Sequence, residues 1–132
     1  MPADTVLDTS AMVAALQGEA GADRVLEILR QARQRRLRLH TSFLCMMEVE
    51  YLTMRRFGES RAEQVTATVL NWPLEVHEST PAWRNRAARI KSRGGLSLAD
   101  AWIAALALSL DADLVHKDRE FDSVPGLRSI RL

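Results

Sequence analysis

Thr5-Val6-Leu7-Asp8-Thr9-Ser10-Ala11-Met12-Val13-Ala14-Ala15-Leu16, near the start of the sequence, carries the pattern that the rest of the chain repeats. A short apolar and β-branched run, Thr5 to Leu7, is stopped by Asp8. A helical pattern follows, with Met12, Val13, Ala15 and Leu16 on its apolar side, and ends at Gly18. The same alternation recurs down the chain. Gly21 to Arg36 reads as an amphipathic helix, Leu37 to His40 as a strand, and Phe43 to Phe57 as a helix closed by Gly58. Ser60 to Asn71 reads as a helix with a capping box formed by Ser60 and Glu63. Leu74 to His77 alternates like a strand, and Thr80-Pro81 opens a helix that runs to about Arg93. Ser97 caps a strongly apolar helix that ends at Leu110. Asp113 to His116 is a strand, and Ile130 to Leu132 is a candidate for a last one. Strands alternating with helices predict an α/β fold with a mostly parallel sheet and helices on both faces. Ligands of such sheets bind beyond the carboxyl ends of the strands, where the strand order reverses. Asp8 and Asp118 both sit at such ends.

A length of 132 residues, with 47% hydrophobic and 27% charged residues, fits one domain over residues 1–132. Lys+Arg 18 against Asp+Glu 17 leaves a formal charge of +1. That excludes a polybasic nucleic-acid binder, which needs a large positive excess. It does not exclude segregation of acids from bases. If four acids are gathered in one site, the rest of the molecule carries 18 basic against 13 acidic groups, or +5. The basic set is almost all arginine, with Lys91 and Lys117 its two lysines. A GC-rich coding genome produces that bias without any function. Cys45 is the single cysteine, which excludes a disulfide framework and a cysteine-based zinc site. No signal-peptide pattern and no membrane-length apolar run is present, so a cytoplasmic setting without a membrane is expected.

Four acids stand where isolated charge is expensive. Asp100 lies near the start of the apolar Ser97–Leu110 helix, where an ordinary first-turn, cap-box role is also available. Glu48 has Leu44, Cys45, Tyr51 and Leu52 as helical neighbours, while Glu50 faces roughly the other way. Periodicity does not choose between them. Asp8 has the N-cap role as its simple explanation. Asp118 has Asp111, Asp113 and Asp122 nearby. Taken together, acids at two strand ends and on two apolar helices point to one shared cleft. Two carboxylates ~6 Å apart repel by about 3 kcal/mol at an effective dielectric near 20, so four require protonation or a cation. Oxygen-only ligands select hard cations such as Mg²⁺ or Mn²⁺.

These residues resemble the motifs of PIN-domain proteins, and specifically of the VapC-type ribonuclease toxins of toxin–antitoxin pairs. VLDTSAMVAAL resembles the first acidic motif, with Asp8 as metal ligand and Thr9 and Ser10 beside it. Ser42 to Glu48 resembles the stretch carrying the second acid, and its spacing from the serine selects Glu48. LSLADAWIAALA resembles the third motif, with Asp100 as its acid. LVHKDREF resembles the fourth, an acid followed three residues later by Phe, with Asp118 as the acid and Asp122 as the other candidate. His116 departs from the pattern, since the family usually carries Ser or Thr there.

The resemblance implies a three-layer fold around about five strands, and usually a homodimer. It implies Mg²⁺- or Mn²⁺-dependent endoribonuclease activity, with Asp8, Glu48, Asp100 and Asp118 as catalytic and metal-holding residues. It also implies a small cognate antitoxin as partner and RNA as substrate. The arginines at 30, 33, 35, 36 and 38 are candidates to hold RNA, with a solvated helix face as the simpler reading of any one of them; Trp72 and Trp83 are candidates to stack bases, while Trp102, on the buried helix, reads as core. The departure at His116 motivates a second reading, a regulatory or binding module with an impaired metal site. A phosphoryl-accepting domain is a weaker reading, because Asp8-Thr9-Ser10 lacks the second acid that the phosphatase pattern places two residues on.

Overall fold

A computed structural model describes residues 2–132. Along the chain come β1 (Ala3–Leu7), α1 (Thr9–Gln17), α2 (Ala22–Arg33), β2 (Leu37–Ser42), α3 (Phe43–Phe57), α4 (Glu59–Leu70), β3 (Leu74–His77), α5 (Pro81–Ser92), α6 (Leu98–Leu110), β4 (Asp113–His116), a 3₁₀ turn (Arg119–Ser123) and β5 (Ser129–Arg131). The five strands form one sheet in the order β3-β2-β1-β4-β5, and each pairing is parallel. From β1 the chain builds outward through β2 to β3, then returns to the other side of β1 for β4 and β5. The strand order therefore reverses between β1 and β4, which is where a crevice opens beyond the strand ends. The fold is the α/β sheet flanked by helices that the sequence pattern implies, and the sheet is wholly parallel among the described residues.

Side-chain caps start the helices that leave this end of the sheet. The Asp8 carboxylate accepts from Ser10 N–H, and Ser42 Oγ accepts from Leu44 N–H. Thr80 caps α5 with Pro81 in its first turn, and Ser97 Oγ accepts from Asp100 N–H at the start of α6. The capping box of Ser60 and Glu63 does not form. One residue, Gly58, separates α3 from α4 and serves as the cap of both, so α4 already begins at Glu59. Its φ of 90° and ψ of 170° is a backbone region open essentially to glycine alone. Two other boundaries shift. α2 stops at Arg33 because Arg35 turns into the left-handed region at φ 60°. β2 continues to Ser42 because Thr41 and Ser42 pair with Val76 and His77 of β3, a long-range contact that propensity does not report.

α6 explains why it reads as apolar nearly all round. Ala101, Ile103, Ala104, Ala105, Leu106 and Ala107 are buried, and the helix contacts β1, β2 and β4 on one side and α5 on the other. Phe43, Trp83 and Trp102 pack edge to face, with ring centroids 4.8–5.8 Å apart, and Trp83 Nε1–H donates to Trp102 O at 2.8 Å. Trp83 is thus a core residue, and Trp72 packs partly buried against the same core. Among the described residues no helix is long and apolar enough to cross a membrane.

Burial within α6 gives a paired test. Ile103 is fully buried and Leu98, at the helix start, is 62% exposed. Ile103→Ala is expected to lower unfolding free energy by about 2–5 kcal/mol and Leu98→Ala by less than ~0.5 kcal/mol, read from denaturant midpoints. Equal effects would contradict this placement of the helix.

Candidate metal centre

Beyond the carboxyl ends of β1 and β4 lies a cleft of about 450 Å³, lined by Asp8, Thr9, Ser10, Glu48, Asp100, Lys117 and Asp118 among others. Four elements deliver the acids. Asp8 ends β1 and caps α1, so its carboxylate is fixed by the Ser10 hydroxyl, which donates at 2.7 Å. Ser10 Oγ also accepts from Lys117 N–H at 3.1 Å, which ties the end of β4 to the start of α1. Glu48 sits one turn into α3 and accepts from the Thr9 hydroxyl at 2.8 Å. Glu50 is exposed and does not line the cleft. Asp100 stands in the first turn of α6, and Asp118 caps the 3₁₀ turn by accepting from Glu120 N–H. The structural role and the site role coincide at Asp8, Asp100 and Asp118. Each residue's own backbone position or carboxylate completes a cap while its side chain lines the cleft.

Electrostatics show how crowded these groups are. Asp8 is only 5% exposed. Burial, with the nearby charge of Glu48, pushes its carboxyl up despite the hydrogen bonds from Ser10 and Thr9. Asp100 is pushed up to about 7 by partial burial and by the charges of Asp8, Asp118 and Glu48. A carboxyl held that high next to three others is a set that a divalent cation relieves, and an all-oxygen set suits a hard one. The Cys45 thiol beside Asp8 is pushed up to about 12 by burial and by that carboxylate, so it remains protonated and is no ligand for such an ion.

Two candidates lie elsewhere. Asp122 is exposed on the 3₁₀ turn, 3.9 Å from Arg131, and does not line the cleft. His116 is fully buried behind it. Its Nδ1 accepts from Asp118 N–H at 3.0 Å, and its ring packs against Phe121. Burial depresses its pKa, so the ring is neutral and Nε2 carries the proton without a hydrogen-bond partner. The imidazole supplies an acceptor that orients the Asp118 turn, a task a hydroxyl oxygen performs equally well. It does not intrude on the carboxylates.

Two residues without a motif of their own also lie here. Glu120, two residues after Asp118, comes within the same ligand-sized cluster as Asp100 and Asp118, with donor atoms within 4.8 Å of one another. Lys117 is the cationic side chain of the lining and lies 3.7 Å from Glu19. Its place beside Asp118 was the available signal. Arg30 and Arg38 are engaged with Glu27 and Asp4, and none of the five arginines from 30 to 38 lines the cleft. Nor does Trp72, Trp83 or Trp102.

The PIN domain family model matches residues 5–127, which include Asp8, Glu48, Asp100 and Asp118. The chain belongs to the PIN domain family. Solved structures with the same PIN fold include VapBC2 from Rickettsia felis bound to a promoter DNA fragment, at 18% identity, TM-score 0.79 and 98% coverage of both chains. DNA-bound VapBC from Salmonella typhimurium matches at 20% identity, TM-score 0.77 and 98% of both chains. VapC20 from Mycobacterium tuberculosis, a toxin that cleaves the sarcin-ricin loop, matches at 24% identity, TM-score 0.70, 97% of this chain and 99% of that one. No curated protein sequence gives a significant match.

The raised Asp100 predicts a pH-dependent stability. Between its ordinary value of 3.8 and about 7, the folded chain holds a proton on Asp100 that the unfolded chain has released. Its contribution to stability therefore falls as pH rises through that window. In metal-free protein, Asp100→Asn is expected to raise the melting temperature relative to wild type by several degrees at pH 8 and by little at pH 4. Added Mn²⁺ is expected to raise the wild-type melting temperature more at pH 8 than at pH 5, because the ion displaces protons. A wild-type-to-variant difference that does not change with pH would contradict the crowding.

Proposed function

We propose that this PIN domain is a divalent-metal-dependent endoribonuclease, the toxin of a toxin–antitoxin pair acting in the cytoplasm. The observation that carries the reading is the meeting of Asp8, Glu48, Asp100 and Asp118 in one cleft at the strand-order switch. These four side chains would hold Mg²⁺ or Mn²⁺. When bound, the metal supplies a water acidic enough to attack at neutral pH and positive charge for the scissile phosphate and the leaving oxygen.

The chain's own groups do the positioning. Thr9 fixes Glu48 and Ser10 fixes Asp8, so two carboxylates are held before substrate arrives. Asp8, buried at the cleft floor, keeps the charge-bearing oxygens in a medium where Coulomb attraction is strong. Lys117 is placed to hold a backbone phosphate at the mouth of the cleft. His116 holds the Asp118 turn in place. That supporting role speaks for a competent site and against the reading of an impaired one.

RNA is the proposed substrate, by likeness to the sarcin-ricin-loop-cleaving VapC20. A cognate antitoxin is the proposed partner, by likeness to the VapBC complexes. A groove lined by Val13, Leu16, Thr53, Phe57 and Val65, with Arg56 and Arg61, suits a short amphipathic antitoxin segment, and it adjoins the cleft through Val13. Met47, Tyr51, Met54 and Phe57 leave α3 partly apolar outside, consistent with a homodimer or antitoxin contact there.

Cleavage of total RNA by purified protein tests the reading. Asp8→Asn and Asp100→Asn are each expected to lower the rate by about 100-fold or more, and EDTA to abolish it, while Glu50→Gln leaves it within about twofold. Full activity in Asp8→Asn, or in EDTA, would overturn the assignment. For the partner, Phe57→Asp is expected to weaken antitoxin binding by ~10-fold or more with cleavage retained. Unchanged binding would remove the groove from the interface.

A further inference from the structure

A second set of potential ligands lies at the β3 edge of the sheet, and none of its members lines the carboxylate cleft. His40 of β2 stands in register with Glu75 of β3, and strand alternation puts His77 on the same face as Glu75. His40 Nδ1 is 2.9 Å from His77 Nε2 and 3.5 Å from Glu75 Oε2, and His77 Nε2 is 3.9 Å from that same oxygen. The three separations bracket the ~3.3–3.4 Å edge of a tetrahedral ion with bonds of ~2.0–2.1 Å.

The surroundings prepare one of the ligands. His40 is 5% exposed, and its Nε2 lies 2.8 Å from Asp4 Oδ1. Asp4 Oδ1 is in turn 3.0 Å from Arg38 Nε, which holds the carboxylate in place. In the tautomer whose Nε2–H donates to Asp4, the lone pair is on Nδ1, 2.9 Å from His77 Nε2 and 3.5 Å from Glu75 Oε2. A carboxylate behind a histidine in this way is the usual outer support of a zinc-bound imidazole. Two imidazole nitrogens and one carboxylate oxygen suit Zn²⁺ rather than the hard ions that an all-carboxylate cleft selects. The Glu75 side chain is 66% exposed on an edge strand, so a fourth position is open to water.

We propose that His40, His77 and Glu75 form a second metal site, which takes Zn²⁺ with water as fourth ligand and clamps β3 to β2. Without metal, the same groups form a hydrogen-bonded chain from His77 through His40 to Asp4.

Calorimetric titration of the EDTA-stripped, dialysed full chain with Zn²⁺, in millimolar Mg²⁺, distinguishes these states. The expected result is one Zn²⁺ per chain, bound at micromolar or tighter affinity, with a raised melting temperature. His77→Ala and Glu75→Gln, both at the accessible edge, are expected to weaken binding by ~10–100-fold or more, and Asp8→Asn/Asp100→Asn to leave it unchanged. Co²⁺ in place of Zn²⁺ should give the visible absorption of a four-coordinate ion in wild type and lose it in His77→Ala. No Zn²⁺ binding, binding unaffected by His77→Ala and Glu75→Gln, or binding lost in the Asp8→Asn/Asp100→Asn protein would overturn the proposal. Because the readout is binding and not RNA cleavage, its failure leaves the proposed nuclease untouched.

Discussion

The Asp8 carboxylate sits almost sealed from solvent at the junction of β1 and α1, in the electric field of three other acids. Repulsion within that group is the constraint to which the neighbouring structure answers. The fold tolerates it by giving each acid a local task that offsets part of the cost. Asp8 caps α1, the Asp100 backbone closes the cap of α6, and Asp118 caps the 3₁₀ turn. The hydroxyls of Thr9 and Ser10 donate to the carboxylates of Glu48 and Asp8. Asp100, partly buried and facing Asp8, Asp118 and Glu48, is still pushed up to about 7. A site strained in this way without metal is one that gains when a cation arrives, since binding removes the repulsion and the proton together.

The sheet order makes the meeting possible. β1 is central, and the chain departs from it in one direction and returns on the other side. The ends of β1 and β4 are therefore neighbours although 107 residues separate Ser10 from Lys117, whose hydrogen bond joins them. α3 and α6 then approach this junction with Glu48 and Asp100. His116 belongs to the same junction from behind. Its ring fills core volume against Phe121 while its one available acceptor holds the Asp118 backbone.

Much of this was legible in the sequence because the signals are local. The strand–acid–helix pattern around Asp8 reads directly, and so does the apolar α6 with its odd charge at Asp100. Glu48 against Glu50 is different, since helical periodicity leaves both open; the spacing from Ser42 selects Glu48, and the packing of α3 turns that side toward the cleft. The Ser60–Glu63 box matched a valid local rule but lost to a one-residue corner at Gly58. Nothing local to a lone lysine or an exposed glutamate marks Lys117 or Glu120 as lying beside the cleft. The cluster of His40, Glu75 and His77 depends on the register between β2 and β3, and register is not a local property.

The most direct measurement of the central claim is a crystal structure of the chain soaked with Mn²⁺, with anomalous differences recorded at the manganese edge. An anomalous peak is expected within ligand distance of the carboxylates of Asp8 and Asp100, bounded by Glu48 and Asp118. A cleft that stays empty at millimolar Mn²⁺, or four acids that point away from one another, would contradict it.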